Sequence, residues 1–412
     1  MNSSTEETVG GKLDDEKIQI PLSTQLAVYA TGTFGNTINN VITVVLPLWA
    51  LHLGASPMMI GLVLGARHIL TTVFSIHGGA LMDRMGTRRV LLWFAVLGAL
   101  TPWMFPLMPW LGAVIFLQMI DGLSSSFAWM GAQAQVGQLM KGNPTYAGRL
   151  SFTVRIGHLV APIVAGMSWD MFGPWGGFSV LGFWGLGILV SALTLPKPPE
   201  GAHAPQVRLR VSDVMPRLSD YIDAIRMLAI PTILLVVMAS TLRMAGQGMH
   251  TSFYVVYLEG IGLTGTLIGT LLSIGSLVGF AGALSVAPLA KRLPPNWLLL
   301  GVVIGGVLAI TVTPLLGGIF WLLAAASGFR GGAMALAQPL MISVLSRSAG
   351  KAQGKAVGIR ATANRLVSFV IPVVMGAVVE LVGLEASFMV IGGALMVVAI
   401  YIAYFIRSTP EA

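Results

Sequence analysis

The chain has 412 residues, 55% of them apolar and 10% charged, with a formal net charge of +8 and no cysteine. A mean hydropathy of +0.82 lies far from that of water-soluble domains and points to a membrane protein. Disulfides and thiolate metal sites are excluded, and the basic residues punctuate apolar runs instead of clustering with aromatics, which argues against a nucleic-acid surface.

Residues 1–22 mix Glu6, Glu7, Asp14, Asp15 and Glu16 with Lys12 and Lys17. No basic stretch leads into an apolar one, so the segment is expected to be a polar cytoplasmic tail and not a signal peptide. A bilayer takes about 20 apolar residues per helical span, which predicts helix 1 at roughly 24–50 and helix 2 at roughly 57–82. Helix 1 carries Asn36, Asn40 and Thr43 at i, i+4 and i+7, with Asn39 alongside, and helix 2 carries Arg67 at mid-depth. The connection Gly78 to Arg89 reads GGALMDRMGTRR, a charged island that a bilayer cannot hydrate and that must therefore lie at a membrane surface. Gly79 and Gly86 remove side chains where two helix ends close on each other, and Asp83 can pair with an arginine or accept from a helix N-terminus. Together with Arg84, Arg88 and Arg89 they are expected to form a latch. The spacing Gly79-x-Leu81-x-Asp83-Arg84-x-Gly86-x-Arg88-Arg89 resembles the signature loop between helices 2 and 3 of the major facilitator superfamily of secondary transporters. The resemblance implies an all-α membrane protein of twelve transmembrane helices in two pseudo-symmetric six-helix bundles. It also implies a central cavity lined by helices 1, 4, 7 and 10, with no cofactor beyond an ion gradient.

Helices 3 to 6 are predicted at roughly 88–107, 110–138, 149–172 and 174–195. Helix 4 offers Gln118, Asp121 and Ser125, and Asp121 is the one carboxylate at mid-depth. In helix 5, Gly148, Gly157, Ala161-Pro162 and Ala165-Gly166 are similar to the Gly-Pro signature of the superfamily's proton-coupled antiporters, with alanine at two glycine positions. Small residues there permit close packing, and Pro162 bends the helix. Arg155 lies in the same helix, nearer its cytoplasmic end. Gln118 stands where the superfamily's helix-4 motif usually has a basic residue.

The one long polar connection, 196–228, opens PKPPEGAHAP and continues into SDVMPRLSDYIDAIRML, which is expected to lie on the membrane surface as a short amphipathic helix. It divides an N-terminal bundle, 23–195, from a C-terminal bundle, 229–407, which precedes a short cytoplasmic tail at 408–412. Helices 7 to 12 are predicted at roughly 229–258, 263–288, 296–315, 317–345, 355–383 and 386–407. Helix 7 carries Arg243, Gln247, His250 and Tyr254 on one stripe, helix 10 carries Arg330, Met334, Gln338 and Met341, and helix 11 carries Arg365. The halves repeat each other. At an offset of 208, Ile60-Gly61 falls on Ile268-Gly269, and at 210, Gly148, Arg155, Pro162 and Gly166 fall on Gly358, Arg365, Pro372 and Gly376.

Lysine and arginine occupy alternate connections, which under the positive-inside rule makes both termini and the central connection cytoplasmic; the compact loops of this multi-pass protein suit a bacterial inner membrane. An arginine at mid-bilayer costs about 2.5–3.5 kcal/mol on insertion scales, so Arg67, Arg243 and Arg330 must face partners or a watery cavity. The expected substrate and proton cavity comprises Asn36, Asn40, Arg67, Gln118, Asp121, Arg155, Arg243, Gln247, His250, Arg330, Gln338 and Arg365. Its arginines outnumber the single deep acid, so the interior is electropositive and suits a carboxylate or phosphate. Asp121, alternately meeting water, arginine and substrate, is the expected proton-exchanging group, with His68, His77, His158 and His250 as further candidates. No His precedes Glu in a metalloprotease motif and no Gly-Lys precedes Ser or Thr, so neither an enzyme nor a metal site is expected. The expected function is proton-coupled efflux of a small acidic or zwitterionic compound by a monomer, the partners being substrate, protons and lipid. The alternative is proton-coupled uptake of an organic anion.

Overall fold

A computed structural model describes residues 20–140, 143–196, 226–348 and 353–408, without the side chains of 75–80, 83–84, 144, 227, 283–284, 286–287, 290, 342–348 and 353–358. The expected tails, except for residues 20–22 and 408, and most of the linker with its surface helix lie outside the described residues. The regular structure described is helical throughout. The helices are α1 (Leu22–His52), α2 (Pro57–Met85), α3 (Thr87–Leu107), α4 (Leu111–Leu139), α5 (Pro144–Thr194), α6 (Pro231–Gly260), α7 (Gly265–Leu284), α8 (Val286–Arg292), α9 (Pro295–Thr311), α10 (Phe320–Ser348), α11 (Gln353–Val382) and α12 (Leu384–Ser408).

Their boundaries follow local chemistry. Pro57, Pro144, Pro231 and Pro295 stand at helix starts, where a missing N–H is no loss. The Ser56 and Thr264 hydroxyls accept from the amides of Met59 and Leu267, capping α2 and α7. The two predicted helices, 149–172 and 174–195, are the two arms of α5, which reverses direction at Gly173 with φ 59° and ψ −147°. That conformation is open to glycine alone. Gly176 accordingly packs against the Ser168 carbonyl and Gly177 against Trp169, as in a hairpin. Predicted helix 8 breaks at Ser285 into α7 and α8, and predicted helix 9 stops at Thr311 before a 3₁₀ turn, Thr313–Leu316. Pro314 in that turn has no N–H with which to continue the helix. Ten described helices are long and apolar enough to cross a membrane; the two arms of α5 and the 17-residue α9 complete the twelve expected crossings.

Within the first half α1 packs on α5 and α4, and within the second α6 packs on α11 and α9. The halves meet chiefly through α2 on α11 and α5 on α7. These contacts gather at the end of the bundle opposite the Lys- and Arg-rich connections, called here the far end. Asp170, late in the first arm of α5, accepts from the Gly265 and Thr266 amides at 2.7 and 2.8 Å and from the Thr266 hydroxyl at 2.6 Å. Glu380, late in α11, accepts from the Met58 amide at 3.1 Å. Each carboxylate thus holds the N-terminus of a helix in the other half, where free amides and the helix dipole favour an anion.

The same two places pack backbone on backbone. A methyl group at Gly61 would strike the Pro372 carbonyl, and one at Gly269 would strike that of Pro162. Gly166 abuts the Gly265 carbonyl and Gly376 that of Pro57. The sequence offsets of 208 and 210 relate every one of these pairs to its counterpart, Asp170 to Glu380 included. The far-end closure is therefore one contact built twice.

Carboxylate-to-helix contacts at exposed sites contribute about 0.3–1 kcal/mol each, so neutralising both should shift the far end toward opening without unfolding it. Because the chain has no cysteine, spin labels at Leu107→Cys and Leu315→Cys report the separation of the halves at that end. The Asp170→Asn, Glu380→Gln double variant should populate a longer distance than the parent; identical distance distributions would show that the glycine packing alone closes it.

Candidate functional site: a cavity between the two halves

A cavity of about 680 Å³ lies between the halves, on the basic side of the far-end closure. Along α5 the closure uses Leu159, Pro162, Gly166 and Asp170, whereas the cavity is lined by Ser151, Arg155 and His158. Along α7 the closure uses Gly265, Thr266 and Gly269, whereas the cavity is lined by Leu272, Ser276 and Gly279. Its volume falls within the range of small-molecule sites, about 300–1,000 Å³.

Of the residues expected in the cavity, Asn36, Asn40, Arg155, Gln247, His250, Arg330 and Gln338 line it. Asn39 and Thr43 complete the wall on α1, and His158 joins α5 to α1 through a 2.6 Å hydrogen bond between Nε2 and Asn36 Oδ1. Arg330 Nη1 donates to Gln247 Oε1 at 3.1 Å, tying α10 to α6, while its Nε has no partner. Both ring nitrogens of His250 are buried without a partner, and the ring stacks on Tyr254 at 4.8 Å. Arg155 is exposed to the cavity, its guanidinium 5.3 Å from the centre of the Phe280 ring across the interface of the halves. Among the described residues no carboxylate lines the cavity.

The other expected members lie outside the lining. Arg67 on α2 and Asp121 on α4 form a buried ion pair, Nη1 to Oδ2 at 2.5 Å, with 9% and 1% of their side chains exposed. The second Arg67 terminal nitrogen donates to Asn39 Oδ1 and Ser125 Oγ, both at 2.6 Å. Asp121 Oδ1 has no partner, nor has Gln118 Oε1 on the same helix. The network sits behind α1, and Asn39 alone touches both it and the cavity. Arg243 on α6 is half-buried with its Nε shut off from solvent and unpartnered, and Arg365 on α11 donates to the Thr71 carbonyl of α2 at 3.3 Å, bridging the halves.

The expected latch divides in a similar way. Gly86 takes φ 86° between α2 and α3, and Arg89 is exposed. Arg88 donates from Nε to the Leu195 carbonyl at 3.0 Å and from Nη2 to that of Leu193 at 2.9 Å, capping the end of α5 within its own half. The side chains of Asp83 and Arg84 lie outside the described residues, and Gly79 is described only as helical backbone. In α5, Gly157 packs against Thr33 and Thr37 of α1, while Pro162 and Gly166 serve the far-end closure.

Sequence reasoning passed over Trp129, Ser151, Thr251 and Ser276 as cavity walls, and Asp170 and Glu380 as parts of a gate. The offset of 210 that aligns Arg155 with Arg365 also aligns Asp170 with Glu380, and would have found the second pair.

Two six-helix halves closed at one end around a polar cavity are the arrangement of a membrane transporter. The chain belongs to the major facilitator superfamily, whose family model matches residues 27–324. No curated protein matches the sequence. Among solved structures it is similar to a point mutant of the nucleoside transporter NupG, with a TM-score of 0.78 at 15% identity over 93% of this chain and 99% of the other. A bacterial homolog of the human lysosomal transporter Spinster, inward-facing and unoccupied, gives 0.68 at 15% identity over 93% and 94%. The xylose transporter XylE from E. coli, in a partially occluded inward-open conformation, gives 0.66 at 15% identity over 93% and 98%. At that identity these likenesses establish the fold.

Removing one partner of a buried ion pair leaves the other charge without compensation, at a cost of about 3–5 kcal/mol. Asp121→Asn should therefore lower the thermal stability of the purified protein strongly. Arg67→Met combined with Asp121→Leu should recover much of that loss, and additive losses in the double variant would mean that the two side chains are not coupled.

Proposed function

We propose that the protein carries a small organic anion together with protons across a bacterial inner membrane by alternating access, with both termini and the basic face in the cytoplasm. The observation that carries this reading is a cavity with two guanidiniums, Arg155 and Arg330, on its walls and no carboxylate among the described lining residues. Such a wall attracts anions and offers an ammonium group no counter-charge. With the far end closed and the cavity on the basic side, the conformation faces the cytoplasm, the side of release for an imported substrate.

The Arg67–Asp121 pair supplies the coupling in this reading. A proton on Asp121 cancels the charge that holds Arg67. The guanidinium, already bonded to Asn39 on the cavity wall, then turns its field toward the substrate. Proton and anion thereby help each other to bind, and ligands that bind cooperatively travel together. Asp83 and its neighbours on the basic face would close the cytoplasmic side in the opposite state. The second reading, export against proton influx, is favoured by the Gly157, Pro162 and Gly166 pattern of α5, but it needs proton and substrate to exclude each other at one group.

Proteoliposomes with an imposed pH gradient, challenged with acidic and cationic compounds, test both. Acidic compounds entering with protons are the expected result, and Asp121→Asn should still exchange such a compound across the membrane while moving no protons. Protons moving against the compound would establish export, and a preference for cations would overturn the anion reading.

A further inference from the structure

The hydrogen-bonding capacity left over on the cavity wall narrows the substrate beyond its charge. A guanidinium only donates, so the Gln247 oxygen must face Arg330 and the Asn39 oxygen must face Arg67. Gln247 therefore turns its amide N–H groups elsewhere. One of the two Asn39 amide N–H groups is spent on the Asn36 carbonyl at 2.9 Å. With the partnerless Arg330 Nε and the exposed Arg155, the charged groups remaining are donors, beside the Asn40 and Gln338 amides, which offer both N–H and oxygen.

The hydroxyls on the wall behave in the opposite way. Thr43 donates to the Asn39 carbonyl at 2.7 Å, Ser151 to Ala147 at 3.0 Å, Thr251 to Gln247 at 3.0 Å and Ser276 to Leu272 at 3.2 Å. Each proton is thus committed to the residue's own helix, and what each hydroxyl presents to the cavity is lone pairs. The four come from α1, α5, α6 and α7, so these acceptors surround the cavity from both halves. A ligand meets charged donors at Arg155 and Arg330 and uncharged acceptors around them.

We infer that the substrate is a hydroxylated organic anion, a polyhydroxy carboxylate in chemical class, with its acid group on Arg330 and Arg155 and its hydroxyls donating to Thr43, Ser151, Thr251 and Ser276. The inference rests on the anion reading above and adds the hydroxyl groups to it. A neutral sugar would bury two guanidiniums without a counter-charge, and a plain alkyl acid would leave the four acceptors unmatched. An amino sugar would place an ammonium group beside arginines.

The test is calorimetric binding to the purified full-length protein of four probes of similar size: D-gluconate, hexanoate, D-glucose and D-glucosamine. Gluconate should bind, with hexanoate and glucose each weaker by about tenfold or more, the discrimination expected of one or two good hydrogen bonds or one charge contact. Arg330→Gln should remove the preference of gluconate over glucose. Thr251→Val, or Ser276→Ala if the former does not fold, should narrow the preference of gluconate over hexanoate. Hexanoate binding as tightly as gluconate, or an unchanged ratio in both hydroxyl variants, overturns the inference and leaves the anion reading standing. Glucose or glucosamine binding more tightly than either acid overturns both.

Discussion

A guanidinium inside a bilayer must find acceptors within the protein, and the first half is arranged around that demand at Arg67. One side chain on α2 gathers Asp121 and Ser125 from α4 and Asn39 from α1. Four residues from three helices are thereby fixed in register by one delocalised cation whose planar fork can reach them together. The approach leaves no room beside it: a methyl group at Gly122 would strike the Arg67 carbonyl, so the residue next to the acid must be glycine. The charge that is costly in lipid becomes the feature that orders the bundle. Its pull on Asn39 also sets the polarity of the α1 wall that the substrate meets.

The second half meets the same demand less completely. Arg330 has one neutral partner, Gln247, and Arg243 keeps a buried Nε with none. A buried donor left unsatisfied costs about 1–3 kcal/mol, and such deficits recur at functional sites, where a ligand completes them. The asymmetry between the halves is informative because their closure contacts repeat residue for residue. The N-terminal copy balances its deep Arg67 internally, whereas the C-terminal copy gives Arg330, on the cavity wall, a neutral partner.

Most of the fold was legible in the sequence because a bilayer permits few solutions. Runs of about 20 apolar residues predict crossings, and these fell within a few residues of the helices, apart from the break at Ser285 and the early stop before Pro314. The two-fold repeat was legible as well, in Gly61 and Gly269 and in Pro162 and Pro372, although not its purpose, since only the folded chain brings each glycine against the other repeat's proline. The site was half legible. Helical spacing names a stripe of residues but not which way the stripe faces, so Asn36, Gln247 and Arg330 line the cavity while Arg67 and Asp121 lie behind its wall and Arg243 is outside the lining. The hydroxyls of Thr251 and Ser276 carried no signal of their own. Serine and threonine are common in such helices, and only the cavity gives their lone pairs meaning.

The far-end closure is assembled from individually weak contacts. Each carboxylate sits at an exposed helix end, where it contributes little, and the glycine contacts are dispersion forces between backbones that individually amount to tenths of a kcal/mol. Built twice and acting together, they hold one end shut without any single strong contact. A ligand shifts such a balance only by its differential affinity for the two states. An anion that satisfies Arg155 and Arg330 from opposite halves of the cavity has that property, because its contacts exist only while the halves stand in the right relation. A cavity wall with guanidiniums and no carboxylate among its described residues, and a closure made of individually weak contacts, are thus two parts of one requirement: neither end may be so stable that the substrate cannot move it.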